Sequence, residues 1–89
     1  MDYEKIIHTI IDPLVEHKDM IMIRELPNEN ERDITLLIVA SQEDTSRLIG
    51  RKGVVANAIR EVISIKGKSE NKRIHVHFES FENGDDKEE

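Results

Sequence analysis

The sequence contains no cysteine and no tryptophan, and only three of its 89 residues are aromatic. Without cysteine the chain can form no disulfide and has no thiol nucleophile, which fits a reducing compartment. The longest nearly unbroken apolar run, residues 34–40, is far shorter than the roughly 20 residues that span a bilayer. The N-terminus lacks the basic-then-apolar order of a signal peptide. We therefore expect a cytoplasmic protein without a membrane partner.

Residue patterns that mark common enzymes are also missing. The sequence has no nucleophile elbow, and Gly-Arg-Lys-Gly at residues 50–53 lacks the frame of a P-loop. His75 and His77 have a spacing found in metal sites, but no third ligand stands out, so we expect two exposed histidines on a strand. These observations predict a protein without catalytic activity, cofactor or metal.

The net charge of −6 is unevenly distributed along the chain. Residues 1–44 carry −7, residues 45–78 carry +6 and residues 79–89 carry −5. One basic segment in an acidic chain points to a local site for a polyanion. The plainer alternative is that all three segments are solvated surface without a partner, and a charge run by itself would favour that alternative.

Hydrophobic periodicity predicts three helices and three strands. Apolar residues recur at helical spacing over residues 3–15, and Pro13 is expected to kink or tighten the last turn before an end near His17. The strongest strand signal is the apolar run 33–40, which follows an edge strand at 20–25. The order is completed by a short helix from Ser41 or Asp44 to Gly50, then a longer helix that ends near Ile65 with Gly67 as its stop signal. A basic loop at 66–72 and an alternating strand at 73–78 follow.

The element order α-β-β-α-α-β predicts an α+β fold. The last two strands are joined by a helical crossover and should run in parallel, whereas the first two form an antiparallel hairpin. We expect a three-stranded mixed sheet covered on one face by three helices. Residues 1–79 form this domain, and residues 80–89 are an acidic tail with almost no apolar side chain, which predicts disorder.

Residues 48–60 are the most informative stretch of the chain. Gly50 and Gly53 bracket Arg51 and Lys52, with apolar residues on both sides. Glycine adopts positive φ without penalty and lets another backbone approach closely. A basic turn that opens a helix can hold an anion, above all a phosphate. Taken alone, the motif could equally be a plain turn between two helices with exposed cations.

Three features together resemble the KH domain in its type II arrangement: Leu48-Ile49 before the basic turn, Asn57-Ala58-Ile59-Arg60 after it, and the order of the elements. In particular, the chain resembles the small single-KH bacterial RNA-binding proteins of the KhpA-like family. The resemblance covers the chain from Asp2 to Phe78. One position departs from the family pattern, because Ala56 stands where a larger aliphatic residue is usual. A small residue there would thin the wall of a binding groove.

The resemblance implies that the turn grips single-stranded RNA by its backbone. The scarcity of aromatics fits a KH groove better than a stacking platform and predicts a loose sequence preference. Ile49 and Val54 would form aliphatic walls, with Ile38 as a further candidate, and other cations between residues 47 and 73 would add non-specific attraction. The predicted RNA-binding residues are Arg47, Ile49, Gly50, Arg51, Lys52, Gly53, Val54, Asn57 and Arg60.

The resemblance further implies pairing, either as a homodimer or with a larger KH protein of the Jag type. It also implies a role as an RNA chaperone or post-transcriptional regulator linked to cell elongation and division. Met20 and Met22, or the exposed part of helix 54–65, are candidate dimer surfaces, although a place in the core is the plainer interpretation. A different class of function stays open, namely a protein–protein adaptor that keeps the fold but works mainly through a partner.

Overall fold

The computed structural model describes residues 3–26 and 28–81. Within them the helices and strands are α1 (Tyr3–Ile11), β1 (Met22–Leu26), β2 (Asp33–Ala40), α2 (Gln42–Ile49), α3 (Val54–Ser69) and β3 (Arg73–Ser80). Single 3₁₀ turns lie at Asp12–Leu14, Lys18–Met20 and Arg51–Gly53. The α+β class and the α-β-β-α-α-β order are confirmed. No helix in this described part of the chain is long and apolar enough to cross a membrane.

The sheet has the order β1-β2-β3, with β1 antiparallel and β3 parallel to the central strand β2. In this register Ile38 of β2 lies between Ile23 and Phe78. The chain leaves the end of β2, passes through α2 and α3, and returns to the start of β3, so these two strands run in parallel. The predicted mixed sheet, its hairpin and its central strand are confirmed.

The core lies between one face of the sheet and the three helices. Side chains alternate along a strand, so Leu36 and Ile38 of β2 are buried, while Leu37 and Val39 are only half-buried on the opposite face. The largest fully buried apolar side chains come from β2 and all three helices, namely Ile7, Ile11, Leu36, Ile38, Leu48 and Ile63. Of the described helices, none covers the face that carries Leu37.

Pro13 determines how α1 ends. The helix stops at Ile11, and the chain continues through the 3₁₀ turn that contains Pro13. Proline has no backbone N–H, and its ring would collide with the carbonyl of Thr9 in a regular α-helix. The predicted tightening is therefore confirmed. The predicted end near His17 is wrong, because the backbone is already extended at Val15, with φ −115° and ψ 162°.

The end of α3 differs from the prediction. The helix runs to Ser69, so its expected end at Ile65 is wrong, and of the expected loop over 66–72 only residues 70–72 connect α3 to β3. Gly67 is buried inside the helix, where an added Cβ would lie 2.6 Å from Cγ1 of Ile74. This glycine allows α3 and β3 to approach closely instead of stopping the helix.

The strand ends also differ by a few residues from those read off the sequence. β1 begins at Met22, because the residues before it form the 3₁₀ turn Lys18–Met20. β3 continues to Ser80, one residue into the segment assigned to the acidic tail, and Phe81 donates its backbone N–H to the carbonyl of Ala40 at 2.9 Å. The remainder of the predicted tail, residues 82–89, lies outside the described residues.

Candidate nucleic-acid interface

The turn between α2 and α3 begins at Gly50, where glycine is needed for two reasons. Its backbone has φ +76°, and its N–H closes α2 on the carbonyl of Ser46 at 2.9 Å. A Cβ at this position would lie 2.5 Å from Cγ2 of Val55 and 3.0 Å from its backbone nitrogen. Both the positive φ and the close approach to Val55 therefore exclude a side chain at Gly50.

The rest of the turn keeps a left-handed backbone. Lys52 has φ +57° and Gly53 has φ +79°, and Gly53 donates its N–H to the carbonyl of Gly50 at 3.1 Å. An L-residue such as Lys52 pays about 1 kcal/mol for this conformation. A Cβ on Gly53 would meet nothing nearer than Nδ2 of Asn57 at 4.0 Å, so its φ alone favours glycine there. Strained residues of this kind concentrate at functional turns.

The two cations of the turn have no acidic partner among the described residues. Arg51 and Lys52 are both exposed, and neither side chain makes a hydrogen bond or ion pair with any residue that the structure describes. They stand at the N-terminus of α3, whose N-cap residue Gly53 has no side chain to cap the helix. The positive end of the helix dipole and two unpaired cations together form a setting for a phosphate.

A groove of about 540 Å³ opens beside the turn. Its lining includes Ile49, Gly53, Ala56, Arg60 and Phe78. The groove is therefore bounded by the end of α2, the first turns of α3 and the late part of β3. Its aliphatic and aromatic surface can accommodate the flat face of a nucleobase.

The predicted aliphatic walls are only partly found in this groove. Ile49 lines it, but Ile38 is 1% exposed and lies in the core, so its assignment as a wall is wrong. Val54 is 62% exposed and is absent from the groove lining. Ala56, the position expected to thin the wall, is buried at 2% exposure and lies at the floor of the groove. A small side chain there deepens the groove.

One side of the groove is the free edge of β3. The backbone N–H of Arg73 binds the carbonyl of Arg32 at 2.7 Å, and that of Phe81 binds Ala40 at 2.9 Å. Backbone N–H and carbonyl groups alternate in direction along a strand, so those of the odd-numbered residues of β3 point towards β2. The N–H and carbonyl of Val76 therefore point outwards, towards α3.

Arg60 occupies this edge. Its Nε donates to the outward carbonyl of Val76 at 3.1 Å, and its Nη1 donates to Oδ1 of Asn57 at 3.2 Å. The guanidinium carbon also lies 5.5 Å from the centroid of the Phe78 ring, within cation–π range. Two of the predicted RNA-binding residues, Asn57 and Arg60, thus contact each other, and of the two it is Arg60 that lines the groove.

Residues 4–78 match the family model described as KhpA/KhpB, KH domain. The chain belongs to this family. Curated relatives named RNA-binding protein KhpA include that of Listeria monocytogenes, which is 34% identical over 75 residues, covering 84% of this chain and 96% of the relative. The KhpA of Bacillus subtilis is 35% identical over 79 residues, covering 89% and 93% respectively. No solved structure matches the chain.

In this KhpA/KhpB-family domain, one of the predicted RNA-binding residues, Arg47, is bound by acidic side chains and not at the basic turn. The guanidinium of Arg47 contacts three carboxylates: Glu16 at 3.1 Å, Glu43 at 3.3 Å and Asp44 at 3.1 Å. The structure therefore does not bring Arg47 together with the basic turn. Glu16 and Glu43 also lie near His17, with ligand atoms within 4.8 Å of one another, but Arg47 already pairs with both carboxylates.

Asp44, one of the two residues that the sequence offered as the cap of α2, does not cap it in this KH domain. Ser41 Oγ accepts the N–H of Asp44 at 3.1 Å and so caps α2, which was the other alternative. The Asp44 carboxylate is fully buried and accepts the N–H groups of Glu16 and His17, both at 3.0 Å. Burial acts to raise the pKa of this carboxyl, but those two backbone donors outweigh it and hold the pKa below its usual range.

The remaining cations of the basic segment are spread along the domain. Lys66 pairs with Glu70 at 3.6 Å, and Arg73 pairs with Asp33 at 2.8 Å. Lys72 donates to the carbonyl of Glu31 at 2.9 Å. The last turn of α3 lies roughly 20 Å from the basic turn at 1.5 Å per residue. The segment that looked uniformly basic in the sequence thus leaves two unpaired cations at the turn itself.

Proposed function

We propose that this chain binds single-stranded RNA, holding the strand's backbone at the Gly50–Gly53 turn and its bases in the adjacent groove. The observation that carries the proposal is the pair of unpaired cations, Arg51 and Lys52, on a left-handed turn that opens directly onto the uncapped N-terminus of α3. The relatives' name, RNA-binding protein KhpA, supports the same ligand. RNA is the strand whose unpaired bases such a KH groove accommodates.

Each part of the turn has a distinct role in this proposal. Gly50 and Gly53 keep the backbone free of side chains so that phosphates can come close. Arg51 and Lys52 oppose the phosphate charge, and the first-turn amides of α3 donate hydrogen bonds to phosphate oxygens. Ile49 and Phe78 provide apolar contact for bases. These contacts read no base edge, which supports binding with a loose sequence preference and a role as an RNA chaperone or post-transcriptional regulator, including one linked to cell elongation and division.

The decisive experiment replaces both cations of the turn. In Arg51→Asp with Lys52→Asp, binding of a short single-stranded oligoribonucleotide should fall by at least tenfold, with an unchanged circular dichroism spectrum. In the wild type the logarithm of the affinity should fall linearly with the logarithm of the salt concentration, and the double variant should lose about 1.4 from that slope for two phosphate contacts.

A charge-matched control separates local contact from overall charge. Lys18 and Arg32 lie outside the turn and the groove, and replacing both with aspartate changes the net charge by the same amount. That control should bind RNA with nearly wild-type affinity at moderate salt, since distant exposed charges are screened. Equal losses in the two double variants would reject the turn as the RNA site.

Pairing of the domain is supported by an apolar stripe on the outer side of α3. Val54, Val62 and Ile65 are 62%, 50% and 69% exposed, and their spacing places them on one side of the helix. The stripe suits a second copy or a larger KH protein of the Jag type, and pairing would add avidity to a small RNA site. The exposed Met20 and Met22 form a smaller alternative surface. Sedimentation of Ile65→Glu should show a shift towards monomer.

The same stripe is the reason to keep a second function, that of a protein–protein adaptor. In that case the domain would act through its partner, and RNA would bind weakly or not at all. Purified wild-type protein that binds no oligoribonucleotide at low salt, yet forms a complex through α3 that Ile65→Glu disrupts, would favour the adaptor.

A further inference from the structure

The face of the sheet opposite the helices carries a row of three side chains. In the observed register Arg24 of β1 lies beside Leu37 of β2, and Leu37 lies beside His77 of β3. Arg24 and His77 are exposed, and Leu37 is half-buried between them. Neighbouring strands are about 4.8 Å apart, so the two outer residues are separated by roughly 10 Å.

This face is continuous with the groove at the basic turn. The residues that line the groove include Gly53 and Ile49 on the helical side, and also Leu26, Leu37 and His77 on the open side of the sheet. The groove therefore passes around the β3 edge. A strand whose backbone lies at Gly53 can follow the surface to Leu37 without leaving it.

The chemistry of the row suits an unpaired base. The side chains of Arg24 and His77 make no hydrogen bond or ion pair within residues 3–26 and 28–81, so both planar groups are available. Imidazole rings and guanidinium planes stack on nucleobases, and such stacking does not depend strongly on base identity. Leu37 and Leu26 supply an apolar surface on which a base can lie.

The charge on this face is mixed. Asp33 binds Arg73 through both oxygens, at 2.8 Å and 3.0 Å, and also contacts His75 at 3.2 Å. Glu79 is half-buried and lines the groove together with Gly53, so its carboxylate lies beside the path of an RNA strand. Arg24 lies on the outer strand β1, and its side chain has no acidic partner among the described residues.

We propose that the open sheet face binds a further unpaired nucleobase of the RNA strand, on Leu37 between Arg24 and His77. The proposal rests on the proposed function, since the strand reaches this face from the Gly50–Gly53 turn. It extends the RNA contact beyond the tetranucleotide that a KH groove clamps.

The test compares two RNA lengths by NMR titration, which measures weak as well as tight binding. The probes are oligoadenylates of four and eight nucleotides. Replacing Arg24, which does not line the groove, with alanine should weaken binding of the octamer by about fivefold or more, the effect of losing one stacked base, and should leave tetramer binding within twofold. The ring signals of His77 in the wild type should move farther on addition of the octamer than on addition of the tetramer.

A matched variant controls for the loss of one positive charge. Lys18→Ala also removes one exposed cation, and Lys18 does not line the groove. It should bind both oligonucleotides like the wild type.

The outcomes distinguish this proposal from the one on which it rests. If tetramer binding depends on Arg51 and Lys52 but octamer binding is unaffected by Arg24→Ala, the open-face site is wrong and the clamp stands. If binding of the tetramer and binding of the octamer weaken equally, the row affects RNA affinity in general, and the site is again rejected. If neither oligonucleotide responds to Arg51→Asp with Lys52→Asp, the proposed function itself fails.

Discussion

Arg60 Nε donates a hydrogen bond to the outward carbonyl of Val76 at 3.1 Å, and this contact joins the middle of α3 to the free edge of β3. The same guanidinium contacts Asn57 and lies over the ring of Phe78. The Arg60 side chain therefore belongs both to the wall of the groove and to the edge of the sheet. A residue that looked in the sequence like a contact for RNA is also a tie between two elements of the fold.

Replacing Arg60 should consequently affect stability as well as binding. Arg60→Ala removes a hydrogen bond to a backbone carbonyl and the packing over Phe78, so the free energy of unfolding should fall by about 1 kcal/mol in urea denaturation. Arg51→Ala, which loses no contact with a described residue, should stay within about 0.5 kcal/mol of the wild type. Equal stability of the two variants would show that the Arg60 contact is not formed in solution.

The two glycines of the turn should respond differently to alanine. Gly53→Ala meets open space and should cost about 1 kcal/mol, the penalty of a left-handed backbone for an L-residue. Gly50→Ala adds a collision with Val55 at 2.5 Å to a backbone with φ +76° and ψ 174°, a region that essentially only glycine adopts, so we expect a loss of about 3 kcal/mol or more. Thermal unfolding of both variants measures the difference, and a Gly50 variant as stable as the Gly53 variant would contradict the close approach to Val55.

Asp44 should govern part of the acid sensitivity of the fold. Its folded-state pKa is lowered, so the stabilisation from its carboxylate is present above the unfolded pKa of about 4 and is lost as the pH falls through the folded pKa. Asp44→Asn should cost about 2 kcal/mol at neutral pH, because one backbone donor loses its acceptor, and should make stability less dependent on pH below about 4. Urea denaturation from neutral to acid pH measures both effects. The exposed Asp19→Asn is the control and should keep the wild-type profile.

Tyr3, the single tyrosine of the chain, offers a direct optical measurement. Burial, then the hydrogen bond to Glu70 and its charge, raise the pKa of Tyr3 to about 12. Its neutral form is favoured by folding, so this contribution to stability is complete below the unfolded pKa of about 10 and is lost as the pH rises towards 12. Ultraviolet titration should show ionisation well above pH 10 in the folded protein and near pH 10 in urea. A folded-state midpoint near 10 would contradict the contact with Glu70.

The acidic residues after β3 should weaken RNA binding. Residues 82–89 carry a net charge of −4 and follow a strand whose residue Glu79 lines the groove together with Gly53. Deleting them should raise affinity for an oligoribonucleotide about threefold at low salt, and the gain should vanish at high salt, where the charges are screened. Exchanging the five carboxylates of this segment for amides should give the same gain. If only the deletion tightened binding, length and not charge would be responsible.

Periodicity and turn chemistry determine most of this fold. The nearly unbroken apolar run 33–40 predicted the central strand β2, and the order of elements predicted the parallel pairing of β2 and β3. Gly67 misled the prediction, since a glycine near a helix end usually marks a stop. Its actual role depends on how closely Ile74 approaches, and that distance between two elements leaves no local trace in the sequence.

The site was less predictable than the fold, because a cation's partners are set by tertiary contact. Arg51 and Lys52 lie on the turn as predicted, but Arg47 is held by three carboxylates from two segments of the chain. The spacing of Glu43 and Arg47, four residues apart on a helix, was a signal for one of these pairs. Nothing in the local sequence pointed to Glu16, or to the groove that continues past β3 to Leu37 and His77.

The hydrogen bond between Tyr3 and Glu70 joins residues 67 positions apart, and it has a consequence for synthesis. The first helix is synthesised early, but Glu70, which binds the first residue of that helix, is added near the end of synthesis. At roughly 5–20 residues per second, the synthesis of Tyr3 precedes the addition of Glu70 by about 3–13 seconds. Throughout that interval Ile7 and Ile11 have no completed sheet to pack against, so the nascent chain presents an apolar helix that a chaperone can bind.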